Sequence, residues 1–333
     1  MRNSIIAILL YLCLGACNGQ DNNHLEANHQ ANTFPENSNN PKEADNGIIY
    51  CSPDNGNTWK NISAGLPKQI SIGLGGLAAS EGLLGVATKE YGIYFYNFDD
   101  SAWVNVPTDN DIIESNIGAL AFFKNTLYVG TQHKGVFCSK DNGKTWSTQN
   151  RELNNLTIRR FIELEHTLYV CTNDGFYALN EHSGSWQLEY GNNALQVNGA
   201  TYFKGVFYIG TNKGIYKKQK DNKWVNILPD HSVHNVSSDE EEMYAMTYNE
   251  LLLSSKDGEH WQSIQDGLPE NLYTFNVLNQ NNTVFAGQWD GIYSKTTLNN
   301  AWKLSSNGLP KKFAATNLKS LNGVLVITTS GRN

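Results

Sequence analysis

The 333-residue sequence is short of charge. Only 17% of its residues are Asp, Glu, Lys or Arg, and 25 basic against 32 acidic side chains leave a net charge of −7. Nucleic-acid binding draws on concentrated positive charge, so this balance gives no reason to expect such a partner. Arginine is scarcer still: after residue 46 it occurs at Arg151, Arg159, Arg160 and Arg332 alone. The five cysteines contain no C-x-x-C pair and the histidines lack ligand spacing, so neither a disulfide framework nor a metal site is expected, and no cofactor. Cys51, Cys138 and Cys171 read as buried free thiols. No Gly-rich loop follows a strand and opens a helix, which removes a phosphate-binding reading. Helix-forming runs are also missing, which argues against a bundle.

The N-terminal apolar run, residues 5–16, is too short to cross a bilayer, which takes about 20 residues. With Arg2 before it, the run has the shape of a secretory signal. It ends in Leu14-Gly15-Ala16-Cys17, which resembles a bacterial lipobox. That resemblance implies cleavage before Cys17, diacylation of its thiol and membrane attachment through the lipid, with acyl chains supplying stable anchoring. Asn18 follows Cys17, where an Asp would resemble an inner-membrane retention signal, so the outer membrane is favoured. Residues 18–46 are Asn-rich and poor in apolar side chains, and read as a flexible tether that cannot build a core. The organisation expected is therefore a signal peptide at 1–16, a lipidated Cys and tether at 17–46, and a folded domain at 47–333.

What the sequence has in abundance is glycine (29), aromatic residues (11%) and tryptophan (8). Seven tryptophans recur at Trp59, Trp103, Trp146, Trp186, Trp224, Trp261 and Trp302, at intervals of 44, 43, 40, 38, 37 and 41 residues. Upstream of most lies a Gly-hydrophobic-aromatic strand, such as Gly92-Ile93-Tyr94 or Gly214-Ile215-Tyr216, and before that another short strand, such as Leu127-Tyr128-Val129. Each unit thus reads as four short strands separated by turns. Four-stranded units at this period are propeller blades. Length alone suggests about two domains, but one ring accounts for it better. Residues 318–329 supply the first two strands of a unit and residues 47–62 the last two. Joined, residues 47–62 and 314–331 make one composite blade and close an all-β ring of seven.

The turn before Trp59, Ser52-Pro53-Asp54-Asn55-Gly56-Asn57-Thr58, and the turn before Trp146, Ser139-Lys140-Asp141-Asn142-Gly143-Lys144-Thr145, share one pattern. Ser255-Lys256-Asp257-Gly258 before Trp261 is a shortened version. These turns resemble the Asp-box, or BNR repeat, of a propeller superfamily that includes sialidases, sortilin-type receptors and photosystem II assembly factors. The resemblance implies a structural turn on the face away from the ligand pocket, and such a fold does not choose a function.

Chemistry in a propeller collects where the loops after the second strands meet the starts of the first strands. The first-strand positions read as equivalent are Gly73, Gly118, Arg159, Asn198, His234, Thr274 and Thr316, and the polar ones are expected to converge on the channel mouth. Trp289, between Gln288 and Asp290, is out of register with the repeat and offers a stacking surface, and Arg332 closes the loop set. The candidate ligand-binding residues are therefore Arg159, Asn198, His234, Thr274, Thr316, Trp289, Asp290 and Arg332. A sialidase would need three arginines from separate blades, whereas Arg159 and Arg160 are adjacent and expected on opposite faces of a strand. No catalytic residue is assigned. The function expected is non-catalytic binding or scaffolding, by a lipid-anchored envelope monomer, of a protein, peptide or glycan. The alternative is a glycoside hydrolase using Glu90, Asp174, Glu250 and Asp290, which requires paired carboxylates about 5–10 Å apart.

Overall fold

A computed structural model of the chain describes residue 34 and residues 47–80, 82–249, 251–296 and 301–330. Cys17, the signal segment, Glu250 and Arg332 lie outside the described residues, as does all of the tether but Phe34. The described residues form 28 strands and one helical turn, Asn110–Ile113, which the repeat pattern does not predict. The strands sort into four-stranded antiparallel meanders, two of them fused into an eight-stranded sheet, giving seven units. The fold is a β-propeller.

In chain order the innermost strands are Ile72–Ser80 (blade 1), Ile117–Phe123 (blade 2), Ile158–Leu164 (blade 3), Val197–Phe203 (blade 4), Val233–Ser238 (blade 5), Thr274–Gln280 (blade 6) and Asn317–Leu321 (blade 7). Each packs against the next, and that of blade 7 packs against that of blade 1. Blade 7 is composite: Ile49–Ser52 pairs antiparallel with Val324–Thr328, with Ile49 opposite Thr328, and Lys60–Asn61 completes the outer edge. The two chain segments thus cover each other's inner edges, Ile49–Ser52 against Val324–Thr328, and close the ring.

The core is distributed rather than central. Seven apolar clusters occur, one at each junction between neighbouring blades. Second strands such as Thr126–Thr131 are buried along their whole length, because both of their faces meet a neighbouring sheet. That explains their continuous apolar sequence, which differs from the alternation of a half-exposed strand.

The recurrent tryptophans do more than fill those junctions. The indole N–H of Trp103 donates to the Ile62 carbonyl at 2.6 Å, Trp186 to Gln149 at 2.7 Å, Trp302 to Ile264 at 2.8 Å and Trp59 to Ser305 at 2.9 Å. Trp146 and Trp224 donate in the same way to Pro107 and Glu189. In every case the acceptor lies on the preceding blade or just after it, so one side chain supplies both apolar area and a directional tie between blades. Trp261 departs from the rule, since its buried Nε1 has no acceptor.

The repeated Ser-Asp turns are built alike. Ser52 Oγ donates to Asp54 Oδ1 while accepting from Gly56 N, and Thr58 donates to Asp54 through both its N–H and its hydroxyl. Ser139, Asp141, Gly143 and Thr145 reproduce the set. In the shorter turn Asp257 accepts from Ser255, Glu259 and His260, and Gly258 N donates to Ser255 Oγ. Gly56 and Gly143 sit at φ +83° and +86°, a left-handed conformation that favours glycine. The Thr145 hydroxyl and N–H, with the Ser139 hydroxyl, hold the Asp141 carboxyl down at about 2.

The three cysteines Cys51, Cys138 and Cys171 are free and buried. Burial pushes the Cys51 and Cys171 thiols up to about 12, so neither is a nucleophile at neutral pH. One expectation for the tether needs correction. Phe34 is buried, stacking on Tyr96 at 5.9 Å and meeting Phe98 edge-on at 5.2 Å, so this segment does contribute to the core of the blade 7–blade 1 junction.

Candidate functional site

Five of the seven inner strands carry a β-bulge near their start that follows the same local pattern. In blade 3, Ile158 opposes Thr172 and Arg160 opposes Cys171, leaving Arg159 as the extra residue. Gly118, Asn198, His234 and Phe275 are the extra residues of blades 2, 4, 5 and 6. A bulge re-aims the side chain it inserts and ends regular pairing. Of the extra residues, Gly118, Arg159, Asn198 and His234 line the cavity at the mouth of the channel, while Phe275 is buried beside His234 and Trp289.

The bulge corrects one sequence assignment. Thr274 falls in register with Ile158, Val197 and Val233, so it is buried between sheets, and its hydroxyl accepts a hydrogen bond from Gln288 Nε2 at 2.9 Å. The extra residue of blade 6 is Phe275. Thr316 is also buried, with its hydroxyl donating to the Thr328 carbonyl. Neither threonine lines the cavity.

That cavity has a volume of about 360 Å³ and is lined by Gly73, Leu74, Lys89, Asn116, Ile117, Gly118, Gln132, Arg159, Arg160, Asn198, His234 and Tyr248. It brings together the expected Arg159, Asn198 and His234 with the glycines of blades 1 and 2. The glycines are required there: a Cβ on Gly73 would lie 2.7 Å from the Gly118 carbonyl oxygen. Blades 1 and 2 approach closely enough for Gly75 to pair with Ala119 as a parallel bridge. The cavity is lined from blades 1 to 5, and among its charged and polar side chains Arg159, Arg160, Asn198 and His234 come from blades 3, 4 and 5.

Arg159 and Arg160 do not diverge as adjacent strand residues usually do; both line this cavity, because the bulge breaks the alternation. Arg159 Nη1 donates to Asn173 Oδ1 at 2.9 Å. Arg160 crosses the channel, donating from Nη1 to Asn235 Oδ1 of blade 5 at 2.5 Å and lying 3.5 Å from the Leu74 carbonyl of blade 1. Among the described residues neither arginine has a carboxylate partner. Lys319 of blade 7, although exposed at the channel, is crowded enough that desolvation and the Arg160 guanidinium lower its ammonium below the ordinary lysine value. Burial, reinforced by Arg160, lowers the His234 imidazole to about 4, so it is neutral at pH 7. On a protein of net negative charge, the mouth is a local positive spot with no acidic residue in its lining among the described residues.

The ring around the channel shows a pattern that the sequence reading missed. Asn235, Asn276 and Asn317 occupy equivalent positions 41 residues apart. Each donates through Nδ2 to a backbone carbonyl of the next blade: Asn235 to Phe275 at 2.9 Å, Asn276 to Thr316 at 2.7 Å and Asn317 to Gly73 at 3.1 Å. The last of these ties the composite blade to blade 1. The even 41-residue spacing was visible in the sequence, but the tryptophan repeat overshadowed it. Arg160 stands at the same position in blade 3.

Aromatic rings extend the site beyond the cavity. His234 meets Tyr248 at 5.2 Å and Tyr273 at 5.9 Å, and Phe275 meets Trp289 edge-on at 4.9 Å. Tyr248 is 42% exposed and Trp289 43% exposed. Of the nine exposed large apolar side chains described, four lie on outermost strands, while Leu74, Tyr91, Leu156, Tyr248 and Trp289 lie at the mouth or in the loops leading to it.

The loop carboxylates have other duties. Asp174 accepts from Thr172 and Tyr177 hydroxyls, Asp290 accepts from the Tyr293 hydroxyl at 2.9 Å, and Glu90 accepts from Ser71 N at 2.8 Å. None of these three lines the cavity; Asp290 keeps, outside it, a buried Oδ1 without a partner, and Glu250 lies outside the described residues. No cluster of His, Cys, Asp or Glu suited to a metal ion occurs among the described residues.

No family model matches the chain, and no curated protein does. Solved structures with the same fold do. The extracellular domain of BT4673 from B. thetaiotaomicron superposes with a TM-score of 0.64 at 17% identity, covering 81% of this chain. This chain spans only 38% of that protein's length. YCF48 bound to D1 peptide gives 0.63 at 11% identity, covering 89% of this chain and 99% of YCF48. PorZ, a surface component of the type-IX secretion system of Porphyromonas gingivalis, gives 0.55 at 9% identity, covering 78% of this chain and 35% of PorZ. At these identities the likeness is one of fold.

Proposed function

We propose that the protein is a non-catalytic binding or scaffolding module of the cell envelope, held to the membrane by a lipid on Cys17, with the outer membrane favoured. It takes its partner at the mouth formed by blades 3, 4 and 5. The partner is an envelope protein, peptide or glycan, not a nucleic acid, and the protein acts as a monomer. The observation that carries this reading is the composition of the cavity: Arg159, Arg160, Asn198 and His234 converge with no carboxylate beside them, flanked by exposed Tyr248 and Trp289. Arginine forks and exposed aromatic rings suit recognition, whereas hydrolysis of a glycoside needs two placed carboxyl groups. The neighbours agree in kind: one is an extracellular domain, one is a surface component and one was solved with a peptide. Among the described residues no helix is long and apolar enough to cross a membrane, which leaves the lipid as the proposed attachment.

Three experiments test this. In peptide and glycan arrays probed with the full chain, Arg159→Ala and Trp289→Ala should each weaken the signals that wild type gives, without lowering the unfolding midpoint. Signals unchanged by both would place the binding surface elsewhere. Incubation with a panel of fluorogenic glycosides should give no turnover; turnover abolished by changing Glu90, Asp174 or Glu250 would replace the binding reading with the hydrolase. Globomycin or Cys17→Ala should alter processing and release the chain from membranes.

A further inference from the structure

Three buried polar atoms in the wall of one cavity have no hydrogen-bond partner: Arg159 Nε, Asn198 Oδ1 and His234 Nε2. Leaving a buried polar atom unpaired costs about 1–3 kcal/mol. Three of them at one mouth, on three consecutive blades, is a concentration that packing alone does not require. Their chemistry is specific. Arg159 Nε can only donate, while its Nη1 is already committed to Asn173. The Asn198 amide donates to the Val233 carbonyl at 2.7 Å, which fixes Oδ1 as the free end, and that oxygen can only accept.

A ligand that satisfies this set carries negative charge for the arginines and, next to that charge, an N–H or O–H for Asn198. A phosphate monoester dianion fails the second condition, because it has no O–H and would set an acceptor against an acceptor. The channel also limits shape. Arg160 spans it from blade 3 to Asn235 of blade 5 and towards Leu74 of blade 1, so a chain cannot thread through at that depth and must end there. We propose, building on the binding reading above, that the mouth captures the C-terminal carboxylate of a peptide. The carboxylate lies on Arg159 and Arg160, the last amide N–H faces Asn198, and the last side chain rests against Tyr248. A sugar acid shares the carboxylate and brings a ring of further hydroxyls in place of the single amide N–H, and titration separates the two.

The smallest probe with the proposed chemistry is N-acetylphenylalanine, compared with its amide, with glucuronate and with inorganic phosphate. Each is titrated into the full chain and followed by saturation-transfer NMR. N-acetylphenylalanine should bind saturably, and the amide should bind at least 10-fold more weakly. Arg160→Gln and Arg159→Gln should each lose at least 10-fold. The second variant leaves the link between blades 3 and 5 in place, so it reports on binding if the first fails to fold. Equal binding of acid and amide would overturn the proposal, and if Trp289→Ala weakened both equally the wider binding reading would survive it. Glucuronate binding more tightly than N-acetylphenylalanine would replace the peptide with an acidic saccharide. Binding by none of the four would overturn the proposal, with array signals sensitive to Arg159→Ala and Trp289→Ala then deciding the wider reading.

Discussion

The Ser-Asp turns and the channel mouth both gather polar side chains, but they treat them in opposite ways. At the turns every acceptor of Asp54 and Asp141 is met from within four residues, and the carboxyls are held in their charged form. At the mouth the arginines lack a counter-charge, the imidazole is held neutral, and three polar atoms are unpaired. The turns are self-sufficient and so serve the fold. The mouth is incomplete, and the proposed partner would complete it. The Ser-Asp turns recur as a motif because their partners are local; the polar residues of the mouth come from separate blades and share no motif.

That contrast also separates the tryptophans, and the largest effect should appear there. Trp186 is fully buried and tied to Gln149. Trp186→Ala should cost about 3–5 kcal/mol in chemical unfolding. Trp289→Ala should change stability by no more than about 0.5 kcal/mol while weakening binding. Comparable losses in both would erase the division between blade marker and recognition surface.

The next effect is a pH dependence. His234 is neutral in the folded state, with its pKa moved from 6.5 to about 4. Between those values the unfolded chain takes up a proton that the folded chain refuses, so stability falls as pH drops through that window, by up to about 3 kcal/mol. His234→Gln should flatten unfolding curves between pH 6.5 and 4. The turn carboxylates act in a lower window: Asp141, moved from 3.8 to about 2, holds its contribution above 3.8 and loses it as pH falls through about 2. Asp141→Asn should therefore leave the upper window untouched. A slope between pH 6.5 and 4 that survives His234→Gln would show that the mouth histidine is not its source.

A smaller effect concerns closure. Asn317→Ala removes the tie from blade 7 to the Gly73 carbonyl and should cost about 1–2 kcal/mol. Asn276→Ala, between blades 6 and 7, should cost about the same, since the bonds are equivalent. A much larger loss at Asn317 would mean that closure of the ring rests on this one bond.

The repeat was legible because each blade buries the same kind of strand and needs the same turn, so Gly, Trp and Asp recur at a near-constant interval. The composite blade followed from which strands were left at either end. The mouth was legible in part. Arg159, Asn198 and His234 were found by counting into each inner strand, but a bulge inserts a residue without leaving a sequence signature. That is why Thr274 stood in for Phe275 and why Arg160 was assigned to the wrong side. Asp290 looked free because its Tyr293 partner is a property of loop geometry. Tyr248 and the asparagine ties were missed because their roles depend on the neighbouring blade.

The most direct test of the contrast between turn and mouth is one titration of N-acetylphenylalanine into wild type, Arg159→Ala and Asp141→Asn, with the unfolding midpoint of each recorded. A mouth built for a ligand and a turn built for the fold predict that Arg159→Ala loses binding at an unchanged midpoint, while Asp141→Asn binds normally at a lowered one. Binding that survives Arg159→Ala but is lost in Asp141→Asn would contradict the account.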